Sequence, residues 1–389
     1  MMRKDMNHTC VSENPVMRKV MKGRCLRCGL PGIYEFGDIR DGECKFCRNF
    51  KRKTFLGEEQ MLRDLDVQDG EKIGITLSGG KDSCYMAGKL ADLLGPDKVT
   101  AFFYYKPGLT SSVARDNVEK VRKTLGINVE TVEDTQAFSR FRKNLEVVLR
   151  HPDPALTRIA LCVGCRFGIT ENLYRRGEEM GIMKYMSGAS YLELAPFKEE
   201  LLAAKSLRND INEGFEIVLN GCPALHYGNN RELMIRDNKY KYKNNDTEQN
   251  NFGTSYRYRL FDFDNYFENN PEEVERAVTE RFDWKKTDRS WHFDCVIEEF
   301  KDVFYFGNLG YTELDFKLAA MVRYGLISRE EAMNRIWEQA ESISRSFTDF
   351  KGKLIRMGLS HCLDDLRNLY KELPYLNYKE EENEIRNIY

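Results

Sequence analysis

A glycine-rich loop between a short apolar run and a helical pattern constrains this chain more than any other feature. The apolar run covers residues 73–77, and the letters S-G-G-K-D-S follow it at 78–83. A loop between a strand and a helix presents backbone N–H groups near the positive end of the helix dipole, where phosphate binds. The loop is not a Walker A motif, because Ile75 stands where that motif requires a glycine. We therefore expect a phosphate-binding loop, with a Gly-Gly turn that only caps a helix as the alternative.

Strand-like and helix-like patterns alternate around this loop. β-like runs at 99–105, 127–132 and 184–190 are separated by helical patterns that include 85–94 and 111–125. Such alternation indicates right-handed βαβ units, and hence an α/β fold with a doubly wound parallel sheet. Ligands bind such sheets beyond the carboxyl ends of the strands, which is where the phosphate loop is expected.

The expected domain organisation has five parts. A flexible N-terminus (1–20) and a zinc ribbon (21–54) come before the phosphate-loop domain (55–235). A polar, Asn-rich loop region (236–262) leads into a mainly helical C-terminal region (263–389). The length of 389 residues is ample for one large core or two ordinary ones.

Two C-x₂-C pairs predict the zinc ribbon. They are Cys25 with Cys28 and Cys44 with Cys47, and fifteen residues separate the pairs. Four thiolates complete a tetrahedral zinc site and leave no open position for water, so we expect a structural site. Free thiols or disulfides are the alternative.

Composition argues against several classes of function. The chain has 60 basic and 62 acidic residues, whereas nucleic-acid enzymes usually carry a basic surplus, so a nucleic-acid substrate is not expected. No apolar run is long enough to span a membrane and no apolar leader is present, so a cytoplasmic protein is expected. Eleven cysteines in that compartment favour metal binding or catalysis over disulfides.

The loop resembles the PP-loop of ATP pyrophosphatases, also called adenine nucleotide alpha hydrolases. The resemblance implies that ATP is cleaved between its α and β phosphates and that AMP passes to a substrate oxygen. It implies catalytic roles for Lys81, which neutralises developing charge, and for Asp82, which positions Mg²⁺ or a phosphate-bound water. A side chain of Asp82 that only caps the following helix is the alternative. The implied ATP-binding residues are Ser78, Gly79, Gly80, Lys81, Asp82 and Ser83.

Three further cysteines form a second group. Cys162 and Cys165 make another C-x₂-C just before a helical pattern, and Cys222 lies in a turn. This arrangement is similar to that of sulfur-inserting PP-loop enzymes, where it holds an iron–sulfur cluster or supplies a persulfide and its resolving thiol. The resemblance implies catalytic roles for all three and adds a [4Fe-4S] cluster to the candidate cofactors. Zinc binding with another ligand, or three unrelated core cysteines, are the alternatives.

The ribbon, the loop and the segment R-Y-G-L-I-S-R-E-E-A at 323–332 together resemble bacterial N-acetyl sugar amidotransferases of surface polysaccharide synthesis. This resemblance implies adenylation of an acetamido oxygen and attack by ammonia from a glutaminase partner. Cys162 and Cys165 depart from that family's pattern. The expected function is therefore ATP-dependent sulfur transfer to a small molecule, with the amidotransferase as the alternative. The expected partners are a small-molecule or sugar-nucleotide substrate and a sulfur donor or glutaminase subunit, and a homodimer is left open.

Overall fold

A computed structural model describes residues 20–32, 38–150, 152, 154, 157, 160–161, 169–195, 258–286 and 295–366. Within these residues the strands are β1 (Ile73–Thr76), β2 (Val99–Tyr105), β3 (Asn128–Glu133), β4 (Lys184–Ser187) and β5 (Arg259–Asp262). The helices are α1 (Lys45–Arg48), α2 (Glu58–Leu65), α3 (Lys81–Leu94), α4 (Ser112–Leu125), α5 (Ala137–Arg150), α6 (Arg175–Glu179), α7 (Pro271–Phe282), α8 (Ile297–Leu309), α9 (Glu313–Arg323), α10 (Arg329–Thr348) and α11 (Phe350–Arg356).

The strands form one parallel sheet in the order β3-β2-β1-β4-β5. The chain moves outwards from the central β1 to β3 and then returns to the other side of β1 for β4. Ligands bind this kind of sheet where the strand order reverses, which is between the carboxyl ends of β1 and β4. The order confirms the doubly wound α/β fold expected from the sequence.

Both faces of the sheet are covered, which explains the nearly continuous apolar runs of β1 and β2. Ile73, Ile75 and Phe103 belong to one core with α3, α4 and α7. Phe102 and Tyr185 belong to another core on the opposite face, with part of the helical segment Ile169–Tyr174. Gly74 faces Tyr185, and a Cβ atom there would lie 2.4 Å from the tyrosine ring. Glycine at position 74 is therefore the residue that leaves room for the Tyr185 ring against β1.

The structure corrects the sequence interpretation at two elements. Residues 259–262, assigned above to the polar loop region, form β5 beside β4. This strand is mostly exposed and reads R-L-F-D, so it lacks the apolar pattern of a buried strand. The helix after the phosphate loop begins at Lys81 rather than near Cys84, so the loop leads directly into it.

The region after β5 is largely helical in the parts that the structure describes, as expected. Phe300 and Phe304 of α8 pack on Phe141 and Leu145 of α5 and on Phe350 of α11, and so form a core separate from the sheet. Helices α8, α9 and α10 stand opposite the phosphate loop and form the far wall of a cleft. Among the helices of the described residues, none has the length and apolar character needed to cross a membrane.

Candidate active-site cleft and cysteine centre

Two serine hydroxyls fold the phosphate loop back on itself. The Ser83 hydroxyl donates to the Gly80 carbonyl oxygen at 2.9 Å and accepts from the Ser78 backbone N–H at 3.2 Å. The Ser78 hydroxyl accepts from the Gly80 backbone N–H at 3.3 Å. The closed turn stands at the N-terminus of the 14-residue helix α3, where the dipole favours an anion.

Contacts with α4 and with Trp284, on the back of the loop, hold Gly79 in position. Its φ is +85°, and a Cβ atom there would lie 2.2 Å from the Ala114 carbonyl oxygen in α4. Its carbonyl oxygen accepts from the Trp284 indole N–H at 3.0 Å and from the Asn117 side-chain amide at 3.2 Å. Asn117 is in turn held by the backbone of Lys285. Helix α4 and the segment after α7 therefore set the position of the loop.

Lys81 and Asp82 meet at the mouth of the loop. The Lys81 ammonium lies 2.6 and 2.7 Å from the two Asp82 carboxylate oxygens, and both side chains line the cleft. The first turn of α3 thus offers a cation for phosphate oxygens and a carboxylate beside it. Mg²⁺ takes oxygen donors and commonly shares them between a carboxylate and a bound phosphate, so Asp82 and the Ser83 hydroxyl fit that metal.

The cleft has a volume of about 1230 Å³ and extends from the loop to the C-terminal helices. The end of β4 contributes Ser187 and the turn after it contributes Gly188, and a Cβ atom on Gly188 would lie 3.3 Å from the Cα atom of Ser83. This close approach brings the β4 turn against the start of α3. Helix α7 forms one side of the cleft. The described lining of the cleft includes eight acidic and five basic side chains, so the cleft as a whole is acidic.

Buried charges stand in and behind the far wall of this cleft. The Lys301 ammonium lies 2.7 Å from Glu298 and 3.0 Å from Glu313, and all three side chains are largely buried. Lys317 lines the cleft and pairs with Glu193 at 2.8 Å. Ions removed from water are stable only when they are paired in this way.

A chain of polar contacts, which we call the buried relay, leads from the far wall to the cysteine unit. The Gln339 amide approaches the Asp302 carboxylate at 3.4 Å and accepts from the Thr312 hydroxyl at 3.0 Å. The Thr312 backbone N–H donates to Asp315 at 2.8 Å, and Asp315 pairs with Arg24 at 2.6 Å. Arg24 also donates to the carbonyl oxygen of Gly29, which follows the first cysteine pair. The cleft wall and the cysteine unit are therefore parts of one packed structure.

The four N-terminal cysteines come together as the sequence predicts. Cys25, Cys28, Cys44 and Cys47 are buried, and their sulfur atoms all lie within 4.8 Å of one another. Two of the separations are 3.8 Å and 3.6 Å. Sulfur atoms at about 2.3 Å from a tetrahedral zinc stand roughly 3.8 Å apart, so the unit fits zinc closely. A zinc ion there would fix both loops and leave no position for catalysis.

The cysteine unit is docked on the C-terminal helices. Arg323 donates to the Cys28 sulfur at 3.4 Å, and Arg329 donates to the Cys25 carbonyl oxygen at 3.2 Å. A Cβ atom on Gly29 would lie 2.8 Å from the Met333 sulfur. The segment 323–332 and the ribbon, two of the three segments that carry the resemblance to the amidotransferases, are thus in direct contact.

The remaining predicted site residues, Cys162, Cys165 and Cys222, lie outside the described residues. Cys84, at the start of α3, is fully buried, and burial raises the pKa of its thiol, so it is a packed residue. Sequence reasoning missed Trp284 and Asn117, because the loop that they hold is 205 and 38 residues away. No local spacing signals such contacts.

The structure defines an α/β protein with a glycine-rich loop at the reversal point of a parallel sheet. No family model matches the chain, and no curated protein matches it. Among solved structures the chain is similar to NMN synthetase from Francisella tularensis, at 19% identity over 35% of this chain and 54% of that chain, with a TM-score of 0.23. It thus spans about half the length of that synthetase.

A second similar structure is the U34-tRNA thiolase NcsA from Methanococcus maripaludis with its [4Fe-4S] cluster. Its identity is 16% over 81% of this chain and 88% of that chain, with a TM-score of 0.33. At TM-scores of this size neither structure assigns a function to this chain, which has to be inferred from its own residues.

Proposed function

We propose that this chain is an ATP-dependent enzyme that adenylates an oxygen atom of a small-molecule acceptor and then replaces that oxygen with sulfur. One observation carries the first half of this proposal. The S-G-G-K-D-S loop is closed by its own serines at the N-terminus of α3, and it opens into a cleft of about 1230 Å³. The cleft has room for a nucleotide and a second small molecule.

The adenylation step uses the loop as an anion site. The acceptor oxygen attacks the α phosphorus, the bond to the bridging oxygen of the β phosphate breaks, and pyrophosphate leaves. Backbone N–H groups of the loop and the Lys81 ammonium stabilise the charge that develops on pyrophosphate. Lys81 is paired with Asp82 in the nucleotide-free loop, so phosphate binding exchanges one anionic partner for another. Mg²⁺, bound with the phosphates, would supply further neutralisation of charge.

The acidic lining supports a small acceptor rather than a polyanion. With eight acidic side chains and five basic ones, the lining lacks the basic surplus with which nucleic-acid enzymes attract a phosphate backbone. The near-neutral total charge of −2 agrees with this interpretation.

The sulfur half of the proposal rests on the sequence of the second cysteine group. A C-x₂-C at Cys162 and Cys165 with a distant Cys222 is a suitable set for a cluster or a persulfide. We place the sulfur atom on that group, and a sulfur donor would then be required as a partner.

The amidotransferase is the second candidate, and one observation favours it. Two of the three sequence segments of that resemblance, the ribbon and residues 323–332, form one docked unit through Arg323 and Arg329. In this case ammonia from a glutaminase subunit would displace AMP, and the sugar substrate would lie in the same cleft.

The decisive experiment separates the two half-reactions. Purified protein with ATP and a small-molecule extract of the source cells should form AMP and pyrophosphate, and Lys81→Met should abolish both products. If the wild type forms neither, the adenylation proposal is wrong.

The transferred atom is tested with Cys162→Ala. The sulfur proposal expects an iron–sulfur absorbance or a persulfide in protein purified anaerobically, and it expects the variant to release pyrophosphate without forming a thio product. Full turnover by Cys162→Ala, with product formation that depends on ammonia, would establish the amidotransferase instead.

A further inference from the structure

The far wall of the cleft contains a buried carboxyl group of which only one oxygen atom has a hydrogen-bond partner. Asp302 lies within α8, is 6% exposed and lines the cleft. The Gln339 amide reaches one of its oxygens, whereas the other oxygen, Oδ1, has no hydrogen-bond partner among the residues that the structure describes. A buried polar group without a partner costs roughly 1–3 kcal/mol, and native structures keep few such groups.

Neighbouring charges do not compensate for this cost. Lys301, which precedes Asp302 in the chain, forms ion pairs with Glu298 and Glu313 in the largely buried cluster described above. Lys317, on the facing helix α9, is engaged by Glu193. Burial and then the nearby Glu298 raise the pKa of Asp302 well above its usual range, because both favour the uncharged carboxyl over the carboxylate. A protonated carboxyl offers an O–H donor as well as acceptor oxygens.

The position of Asp302 suits a ligand in the cleft. It shares the cleft with the phosphate loop but comes from a different part of the chain, so a molecule touching it would lie beside the nucleotide. Gln339 is held by Thr312 through the buried relay and so fixes the orientation of the carboxyl group. Apolar Val303 and Leu318 line the same wall, which limits access of water to the group.

We propose that Asp302, oriented by Gln339, is the anchor of the acceptor substrate and hydrogen-bonds an uncharged hydroxyl or amide group of that molecule. The inference rests on the proposed adenylation and names the chemistry of its acceptor. An ionic group would have to break an existing ion pair at this wall, whereas an uncharged polar group can meet the unpaired Oδ1 atom of Asp302 without doing so. Asp302 does not touch the reacting phosphate, so it is a positioning and specificity residue.

Two substitutions of Asp302 distinguish a role in acceptor binding from a purely structural role. Asp302→Leu removes a buried carboxyl group of which one oxygen has no partner and the other has only a long hydrogen bond, so the thermal midpoint should stay equal or rise by roughly 2 °C. Acceptor binding should weaken at the same time, by about tenfold or more, because the acceptor loses its anchor. Asp302→Asn keeps a donor and an acceptor and should retain most of the activity. A merely structural Asp302 would instead lower the thermal midpoint in the leucine variant.

The assay is exchange of labelled pyrophosphate into ATP, which reports reversible adenylation and needs neither sulfur nor ammonia. The small-molecule extract is passed over anion and cation exchangers to give neutral, anionic and cationic fractions, and each fraction is tested with every variant. ATP binding is measured separately in the absence of extract. Glu338→Gln is the matched control, because Glu338 is an exposed acid that lines the same cleft.

We expect the neutral fraction to drive exchange in the wild type, in Asp302→Asn and in Glu338→Gln, and Asp302→Leu to need about tenfold more of it while binding ATP normally. Exchange driven only by a charged fraction, or equal exchange by Asp302→Leu, would overturn the inference and leave the adenylation proposal standing. Absence of exchange with every fraction in a wild type that binds ATP would overturn both.

Discussion

The two glycines of the phosphate loop are adjacent in sequence, yet they should respond very differently to alanine. Gly79 has a φ of +85°, and an added Cβ atom would lie 2.2 Å from the Ala114 carbonyl oxygen. Gly80 has a φ of −71°, and its nearest neighbour would be the Ser78 hydroxyl at 3.3 Å. The pair therefore separates backbone strain and steric conflict from a simple change of side chain.

The expected cost can be worked out from this geometry. Left-handed backbone costs alanine about 1–2 kcal/mol relative to glycine. Restoring an ordinary contact from 2.2 Å requires a movement of roughly 1 Å between the loop and α4, and overpacking of this kind costs about 1–3 kcal/mol. Gly79→Ala should thus lower the free energy of unfolding by about 2–5 kcal/mol, whereas Gly80→Ala should lower it by about 1 kcal/mol or less.

Urea unfolding of both variants measures this difference, and ATP titration measures its effect on the site. Movement of the loop draws the Gly79 carbonyl away from Trp284, so Gly79→Ala should also bind ATP more weakly. Unfolding free energies that agree for the two variants within about 0.5 kcal/mol would refute the role assigned to the contact between Gly79 and α4.

Three further predictions follow from the site. Trp284→Phe removes the N–H that holds the Gly79 carbonyl, so it should lower the free energy of unfolding by about 1 kcal/mol and weaken ATP binding. Trp337→Phe is the control, because the Trp337 indole donates to Glu341 on the exposed side of α10, and it should leave ATP binding unchanged. Equal ATP affinity in the two variants would contradict this prediction. Metal analysis should find one zinc per chain, and Cys44→Ser should lose it and unfold at a lower temperature; an unchanged zinc content would exclude the site.

The last of the three concerns pH. Because burial raises the pKa of Asp302, the folded chain keeps a proton that the unfolded chain releases above about pH 3.8, so stability falls as pH rises from there through the folded-state pKa. Glu298, Lys301 and Glu313 face this group as well. Asp302→Asn should remove the part of that slope that Asp302 causes, as measured by urea unfolding at a series of pH values above about 4; identical slopes in both proteins would contradict the raised pKa of Asp302.

The parts of this protein that the sequence could predict are those whose chemistry is local. The phosphate loop needs consecutive residues between a strand and a helix, and the cysteine unit needs two short spacings, so both could be read directly. The doubly wound sheet followed from the alternation of apolar runs. Strand β5 escaped prediction because an exposed edge strand has no apolar face to reveal it.

The support of the site could not be predicted, because it consists of contacts between distant segments. Asn117 reaches the loop from α4, and Trp284 reaches it from the segment after α7. Asp302 can be recognised as a candidate site residue only when its burial is known. Helix α8 is buried almost all round, so its charged residues carry no mark of their function in the pattern alone.

The pairing of Arg24 with Asp315 joins residues that are 291 positions apart, and this has a consequence for the order in which the protein is made. During synthesis the cysteine unit leaves the ribosome first, whereas the helices that receive it leave late. Contacts of such long range form last, after the entropy of closing the intervening chain has been overcome. Until those helices have been made, Arg24 and Leu30, which are buried in the folded protein, remain in contact with water. The far wall of the cleft is therefore completed only after α10 has been synthesised, so a product that ends before α8 carries the phosphate loop without that wall.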